Sequence, residues 1–402
     1  LFNVVGKPIY SWDNLDCQFH NIFDKLQRQT HQYIKQGSNP EKLVERCVYG
    51  EFHPNSASLN LRGKLFMHID GAGVVFNSGF NRETNQEEAY DFKGNLLCSK
   101  RKLAIEYKQQ INWSTVETSL IPVSSGKLDL DLITNRLSPL LEKEDFIIET
   151  TYDALNRPKI LTMPDKTIIF HGYNEANLLE RVEAKVKGEE SSTTLVKNIN
   201  YNAKGQREYI EYGNSTDTEY KYDDNTFRLS YLRTTRSNFL PASQVVQSLH
   251  FTYDPTGNVI SIYDNAQQTI FFHNQRIEPN TEYTYDALYR LIEANGREHL
   301  GQTSNGTLSP STPTSSTDSL RSNLFHPNDG KALSKYIEKY EYDELGNILK
   351  MIHCNKSPTH SGWTRKYIYE EPSLIENEKK NNQLTKTDVS TTSYKFTYDK
   401  NG

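Results

Sequence analysis

Aromatic and polar residues alternate in short bursts along the chain. Glu219-Tyr220-Lys221-Tyr222 is one example, and the pairs Phe251/Tyr253, Tyr283/Tyr285, Tyr340/Tyr342 and Phe396/Tyr398 repeat its spacing. Side chains two positions apart lie on one face of a strand, so each burst predicts a strand with an aromatic face and a polar face. Asp or Asn follows the second aromatic residue; such side chains bond nearby backbone and favour turns. Gly or Asn comes next, at a position that often needs a positive φ. An apolar residue such as Leu96, Val259, Leu291 or Ile348 then opens the following strand. The pattern predicts strand, tight turn, strand: a β-hairpin about 20 residues long.

The hairpin recurs. Units of the form Tyr-Asp/Asn-x-x-Gly/Asn begin at Tyr90 (with Asp91 and Gly94), Tyr152 (Asp153), Tyr173, Tyr201 (Gly205), Tyr253 (Asp254, Gly257), Tyr285 (Asp286), Tyr342 (Asp343, Gly346) and Tyr398 (Asp399). Weaker copies begin at Tyr222 and Tyr263, and a degenerate one at Phe23. Several gaps, such as 152 to 173 and 201 to 222, are close to 21 residues. One hairpin is marginal in water, but a row of them packs aromatic face on aromatic face. The expectation is an all-β chain: a spiralling antiparallel ribbon, coiled by right-handed strand twist, able to enclose space. On that reading the anchor rings are core, and Tyr→Ala at Tyr253 or Tyr285 costs about 3–5 kcal/mol.

Three regions depart from the repeat. Residues 14–36 hold a mildly helical stretch (Phe19, Ile22, Phe23, Leu26) or a worn repeat. Residues 128–145 read as a loop or short helix. Residues 301–330 are rich in Ser, Thr, Pro, Gly and Asn, which predicts a flexible insertion whose deletion over 305–325 is nearly neutral. Otherwise residues 1–402 read as one repeat region. Because the sequence starts at Leu1 and stops at Gly402 inside a unit, it is expected to be a piece of a longer protein.

Composition sharpens the picture. Hydrophobic residues make up only 35% and mean hydropathy is -0.73. Yet aromatics reach 11%, with 25 Tyr, which argues against disorder. Tyr carries a hydroxyl that must find a partner, so the combination predicts half-wet sheets rather than an oily core. Basic and acidic residues, 46 against 51, are well mixed, so no nucleic-acid face is expected. No amphipathic basic helix and no run near the roughly 18 apolar residues of a bilayer span is present, so direct membrane insertion is not expected. Cys17, Cys47, Cys98 and Cys354 are scattered and read as free thiols.

No catalytic, cofactor or metal site stands out. Gly71-Ala72-Gly73 lacks the third glycine of a dinucleotide fingerprint and reads as a turn. His353, Cys354 and His360 lack a complete ligand set and read as a plain loop. The repeated aspartates are better explained by turn bonding than by calcium, which needs six to eight converging oxygens. Glu87-Glu88 and Glu189-Glu190 read as solvated charge in polar loops. The chain is accordingly read as not an enzyme.

The Tyr-Asp units resemble RHS/YD-repeat proteins. Four blocks carry a closer resemblance: Arg46-Cys47-Val48-Tyr49-Gly50-Glu51, Leu59-Asn60-Leu61-Arg62-Gly63-Lys64, Asp70-Gly71-Ala72-Gly73-Val74-Val75 and Ala89-Tyr90-Asp91-Phe92-Lys93-Gly94-Asn95-Leu96. These, with 173–182, are similar to the B and C shell components of bacterial insecticidal toxin complexes. The resemblance implies a hollow, cocoon-like shell that shields a C-terminal toxin cargo, of the same or a partner chain, until delivery. It further implies a translocation or pore component as partner, and a secreted or cell-surface-delivered protein made in the bacterial cytoplasm. In that family a self-cleaving core segment and a variable toxin follow the repeats, so this stretch is expected to lack both activities. The alternative is a teneurin-like adhesion or glycan- and protein-binding module, which also uses YD repeats.

Overall fold

The computed structural model describes residues 1–81, 84–122, 126–238, 244–300, 329–355, 362–373, 375–376, 378–389 and 392–401. Among them are 28 strands and one α-helix, Leu130–Leu137. A single antiparallel sheet takes 24 of the strands. Pairing follows sequence order, strand to next strand, except where the short hairpins 79–88 and 270–277 are skipped, so the sheet is a meander. Two compact units divide it: residues 1–197 with 399–401, and residues 198–398.

In the first unit Cys17–Phe23 pairs with Gln29–Gln36, that strand with Lys42–Tyr49, and that with Leu65–Asp70. The stretch 14–36 is therefore a worn repeat, not a helix, with Phe23-Asp24 at its turn. After Gly73–Phe76 and again after Cys98–Leu103 the chain leaves the sheet. The second excursion carries the helix, where the loop-or-helix alternative stood, with Asp129 capping it through Leu132 N–H. Leu43, Leu61, Met67, Ile69, Val74, Trp113, Ile133 and Leu137 are fully buried together here, the main apolar core among the described residues. Polar contacts tie the excursion down: Trp113 Nε1 donates to the Asp70 carbonyl at 3.1 Å, and Glu117 takes Arg46 Nε at 3.0 Å and His31 Nε2 at 3.0 Å. Gly71-Ala72 is the turn expected. Glu87 and Glu88 correct the loop reading: they lie in the short strand Gln86–Glu88, paired with Gly79–Asn81.

The second unit is different. Strands such as Thr216–Tyr222, Leu229–Arg236 and Val245–Tyr253 are half-buried along most of their length. Full burial is sparse and partly polar, as at Thr218, Ser248, Ser334 and Thr387. Thr218 and Thr234 pair across strands, hydroxyl to hydroxyl, at 2.9 Å. This sheet has no oily layer of its own comparable to that of the first unit among the described residues. Residues 301–328 of the expected insertion, and His360, lie outside the described residues.

Candidate functional site

The feature that recurs with constant geometry is the repeat turn. In each regular unit the Asp or Asn N–H donates to the carbonyl four residues on, and the N–H three residues on donates back. For Asp286 these are Arg290 O at 2.9 Å and Tyr289 N at 3.0 Å; Asp153, Asn174, Asn202, Asp254 and Asp343 repeat the pair. The residue three after Asp/Asn has positive φ: Gly94 (91°), Gly205 (76°), Gly257 (113°) and Gly346 (95°), but also Gln27 (63°), Asn156 (65°), Asn177 (68°) and Tyr289 (62°). The aspartate closes the loop. Asp286 Oδ1 accepts from Leu288 N at 2.8 Å and Arg290 N at 2.9 Å, and its Oδ2 takes Arg290 Nε at 2.6 Å. Asp91, Asp153 and Asp343 do the same with Asn95, Arg157 and Asn347. These donors hold the carboxyls below the ordinary aspartate range; the Arg290 backbone N–H leads for Asp286, and the Asn347 amide for Asp343. At the chain's last unit Asp399 Oδ1 accepts from Asn401 N at 2.8 Å.

The closing side chain then reaches the next turn. Asn95 donates to Asn156 Oδ1 at 3.1 Å, Arg157 to Asn177 Oδ1 at 2.6 Å, Gln206 to Phe227 O at 2.8 Å, Arg228 to Asp254 O at 3.2 Å and Arg290 to Asp343 O at 2.9 Å. Within each unit the turns are thus laced into a ladder. Arginine adds a contact with the next anchor ring: Arg157 lies 4.5 Å from the Tyr173 centroid and Arg290 4.9 Å from that of Tyr342.

The anchor tyrosines form a second rail. A register shift sits immediately before Tyr152, Tyr173, Tyr222, Tyr253, Tyr285 and Tyr342. Such bulges raise local twist and re-aim a side chain. The hydroxyls then donate to a main-chain carbonyl just past the preceding turn: Tyr173 to Pro158 O at 2.9 Å, Tyr253 to Leu229 O at 2.8 Å, Tyr285 to Val259 O at 2.8 Å, Tyr342 to Leu291 O at 2.7 Å. Tyr90 and Tyr398 donate in the same way to Leu65 O (3.0 Å) and Leu384 O (2.8 Å). Tyr152 and Tyr201 end their strands, half-buried. The expectation of a ring core needs correction here. These rings are half-buried: Tyr90 packs against the first unit's apolar core, Tyr398 is 40% exposed, and the hydroxyls grip backbone.

Two anchors escaped the sequence reading. Tyr49 donates to Gln29 O at 3.2 Å and Tyr369 to Ile348 O at 3.1 Å. In both, an insertion replaces the Asp-x-x-Gly turn. For Tyr369 the aromatic residue two before it, Tyr367, was the available signal.

His353 and Cys354 lie in the strand Ile348–Asn355, not in a loop, and alternation puts them on opposite faces, so they cannot share an ion. His353 is 9% exposed, with Nδ1 3.1 Å from Glu338 and Nε2 3.1 Å from Glu298. It stacks between Tyr336 and Trp363, with centroids 5.5 and 5.3 Å away. The two carboxylates raise its pKa to about 9, so it is a buried imidazolium. Another grouping, Glu45, Cys47 and His68, gathers donors of three kinds; the sequence reading missed it because the residues meet only across strands. The four cysteines are free thiols. A cavity of about 630 Å³ opens beside the apolar core, lined by His53, Phe66, Phe76, Ile133, Leu137 and others. Two of its hydroxyls, Thr134 and Ser138, are spent on helix carbonyls at 2.8 and 2.7 Å.

Comparison with known proteins fits this architecture. No protein-family model matches the chain. Toxin subunit YenC1 of Yersinia entomophaga is 28% identical over 322 residues, covering 80% of this chain and 29% of that protein. Toxin subunit YenC2 of the same organism is 29% identical over 317 residues, covering 78% and 29%. The crystal structure of TcdB2-TccC3 without its hypervariable C-terminal region superposes with a TM-score of 0.72 at 26% identity, over 97% of this chain and 16% of that one. The chain is homologous to toxin-complex C subunits. A structure of the Photorhabdus luminescens Tc holotoxin pore matches with a TM-score of 0.73, again over 97% of this chain. As a toxin-complex C-subunit homologue, the chain spans under a third of the length of the curated relatives it matches. The likeness persists in a structure lacking the hypervariable region, so it lies in the shell part.

Proposed function

We propose that this chain is a stretch of shell wall that encloses a C-terminal toxic polypeptide and shields it until delivery. The observation that carries the reading is the match of 97% of the chain to TcdB2-TccC3, together with a second unit whose sheet is held by turn and tyrosine rails. A wall around an unfolded chain needs two faces that tolerate water. The half-buried strands of the second unit offer that. The mechanism is steric: a closed wall keeps proteases out and cargo in. On this reading the partners are the cargo, a B-type shell component and a pore component, and the protein is made in the bacterial cytoplasm and secreted or delivered at the cell surface.

The test is protease protection of the full-length parent protein assembled with its B-type component. The C-terminal segment should survive proteinase K at doses that destroy the same segment expressed alone, and lose protection once denaturant opens the shell. Digestion at equal rates in both settings would refute containment.

A further inference from the structure

The geometry points to a zinc-type divalent cation site formed by Glu45, Cys47 and His68 on the first unit's sheet. Glu45 and Cys47 are two apart on the strand Lys42–Tyr49 and share a face. Cys47 is the cross-strand partner of His68 on Leu65–Asp70, which brings the thiol and imidazole together. One donor atom from each lies within 4.8 Å of the other two; His68 Nε2 and Glu45 Oε1 share a hydrogen bond at 2.6 Å, which an ion would replace. Thiolate, imidazole and carboxylate together select zinc or a similar borderline-soft ion and disfavour magnesium and calcium, which want oxygen alone. Three protein ligands leave a fourth position for water.

A carboxylate also stands near the other ring nitrogen of His68. Metal-bound histidine commonly directs its other ring nitrogen at a carboxylate that orients it. Asp70 Oδ2 lies 4.0 Å from His68 Nδ1, outside hydrogen-bond reach until the ring turns toward it, and Asp70 is fixed by Arg101 Nη2 at 2.6 Å and Ala72 N at 2.8 Å. Gln29 Nε2 approaches the far oxygen of Glu45 at 3.4 Å. Location gives the site a purpose. Lys42–Tyr49 and Leu65–Asp70 are joined by the excursion 50–64 in place of an Asp-x-x-Gly turn, so an ion would pin two strands that lack that short connection. The inference is independent of the containment reading.

The chain, stripped of metal by chelator, is titrated with cobalt(II) alone. One equivalent should give a near-ultraviolet thiolate-to-cobalt band with the visible bands of tetrahedral cobalt, and zinc should erase both. Cys47→Ser should lose the near-ultraviolet band with circular dichroism unchanged. Glu45→Gln, a milder change, should keep the band but weaken cobalt binding at least about tenfold, and Asp70→Asn, acting through His68, should weaken it about tenfold. Absence of the band in the parent chain, or its persistence in Cys47→Ser through another cysteine, overturns the site.

Discussion

The tyrosine rail makes a quantitative demand. Tyr→Phe at Tyr253, Tyr285 and Tyr342 keeps each ring and removes only hydroxyls that donate to Leu229, Val259 and Leu291 carbonyls at 2.7–2.8 Å. A hydrogen bond of this kind contributes about 1 kcal/mol net, and these acceptors, half-exposed, can partly rehydrate, so each change should cost about 0.5–1 kcal/mol. The three donors have separate partners, so the triple variant should lose about 2 kcal/mol. Tyr285→Ala removes a half-buried ring as well, and should cost about 2 kcal/mol rather than the figure for a core aromatic. Urea unfolding of the chain, followed by circular dichroism of the sheet, reads these as shifts in midpoint at constant slope. If the triple Phe variant unfolds at the parent's midpoint while Tyr285→Ala falls sharply, the rings act by burial alone and the rail is wrong.

Other expectations follow from the same turns and from the buried histidine. Tyr289, at φ 62° and 59% exposed, sits where a side chain is strained, so Tyr289→Gly should raise stability by about 0.5–1 kcal/mol, while Gly346→Ala at φ 95° should lower it by about 1 kcal/mol; opposite signs in urea midpoints would refute the turn argument. The turn aspartates have depressed pKa values, so their contribution is full above the ordinary aspartate range and is lost as pH falls through the folded values. The urea midpoint should therefore drop below about pH 4, and less so when Asp286 and Asp343 are replaced by Asn, the residue that does this work at Asn174 and Asn202. His353 has the opposite sign: its contribution, roughly 3 kcal/mol, is complete below about pH 6.5 and fades as pH rises through about 9. His353→Gln should be destabilising at pH 7 and close to neutral at pH 10, and a gap of equal size at both values would exclude a charged clamp by Glu298 and Glu338.

The strands and turns of the second unit were legible because their causes are local. Spacing two fixes a face, Asp fixes a turn, and positive φ selects Gly or Asn; each acts within a few residues. Where an insertion replaces the turn, as after Tyr49 and Tyr369, the turn half of the local code is missing; Tyr369 keeps only the aromatic pair with Tyr367, and Tyr49 shows as an anchor through its bond to Gln29 O. The burial of the rings was misjudged for a related reason. Alternation shows which residues share a face but not whether a second layer covers it; in the first unit the excursions carrying Leu59 and Leu61, Trp113 and the helix Leu130–Leu137 supply that layer. The pairings of Cys47 with His68, and of His353 with Glu298 and Glu338, need register between strands, which sequence spacing does not carry.

That division explains how a sheet this long can be built with so few fully buried residues. A thick core spreads its stability over every residue that packs into it; a thin wall must concentrate stability at its edges and joints. Here the joint is a turn whose carboxylate satisfies its own backbone and whose fifth side chain satisfies the next turn's, while a hydroxyl from each unit closes on the last. The carboxylate bonds fix each turn, and the side-chain and hydroxyl bonds link one repeat to the next, so stability accumulates by repetition. An insertion costs little when both flanking joints remain. The excursion 50–64 is such a case: Arg28, which closes the turn at Asp24, still reaches Glu51 at 2.7 Å, and Tyr49 still donates to Gln29 O at 3.2 Å, beside the three donors proposed to hold an ion.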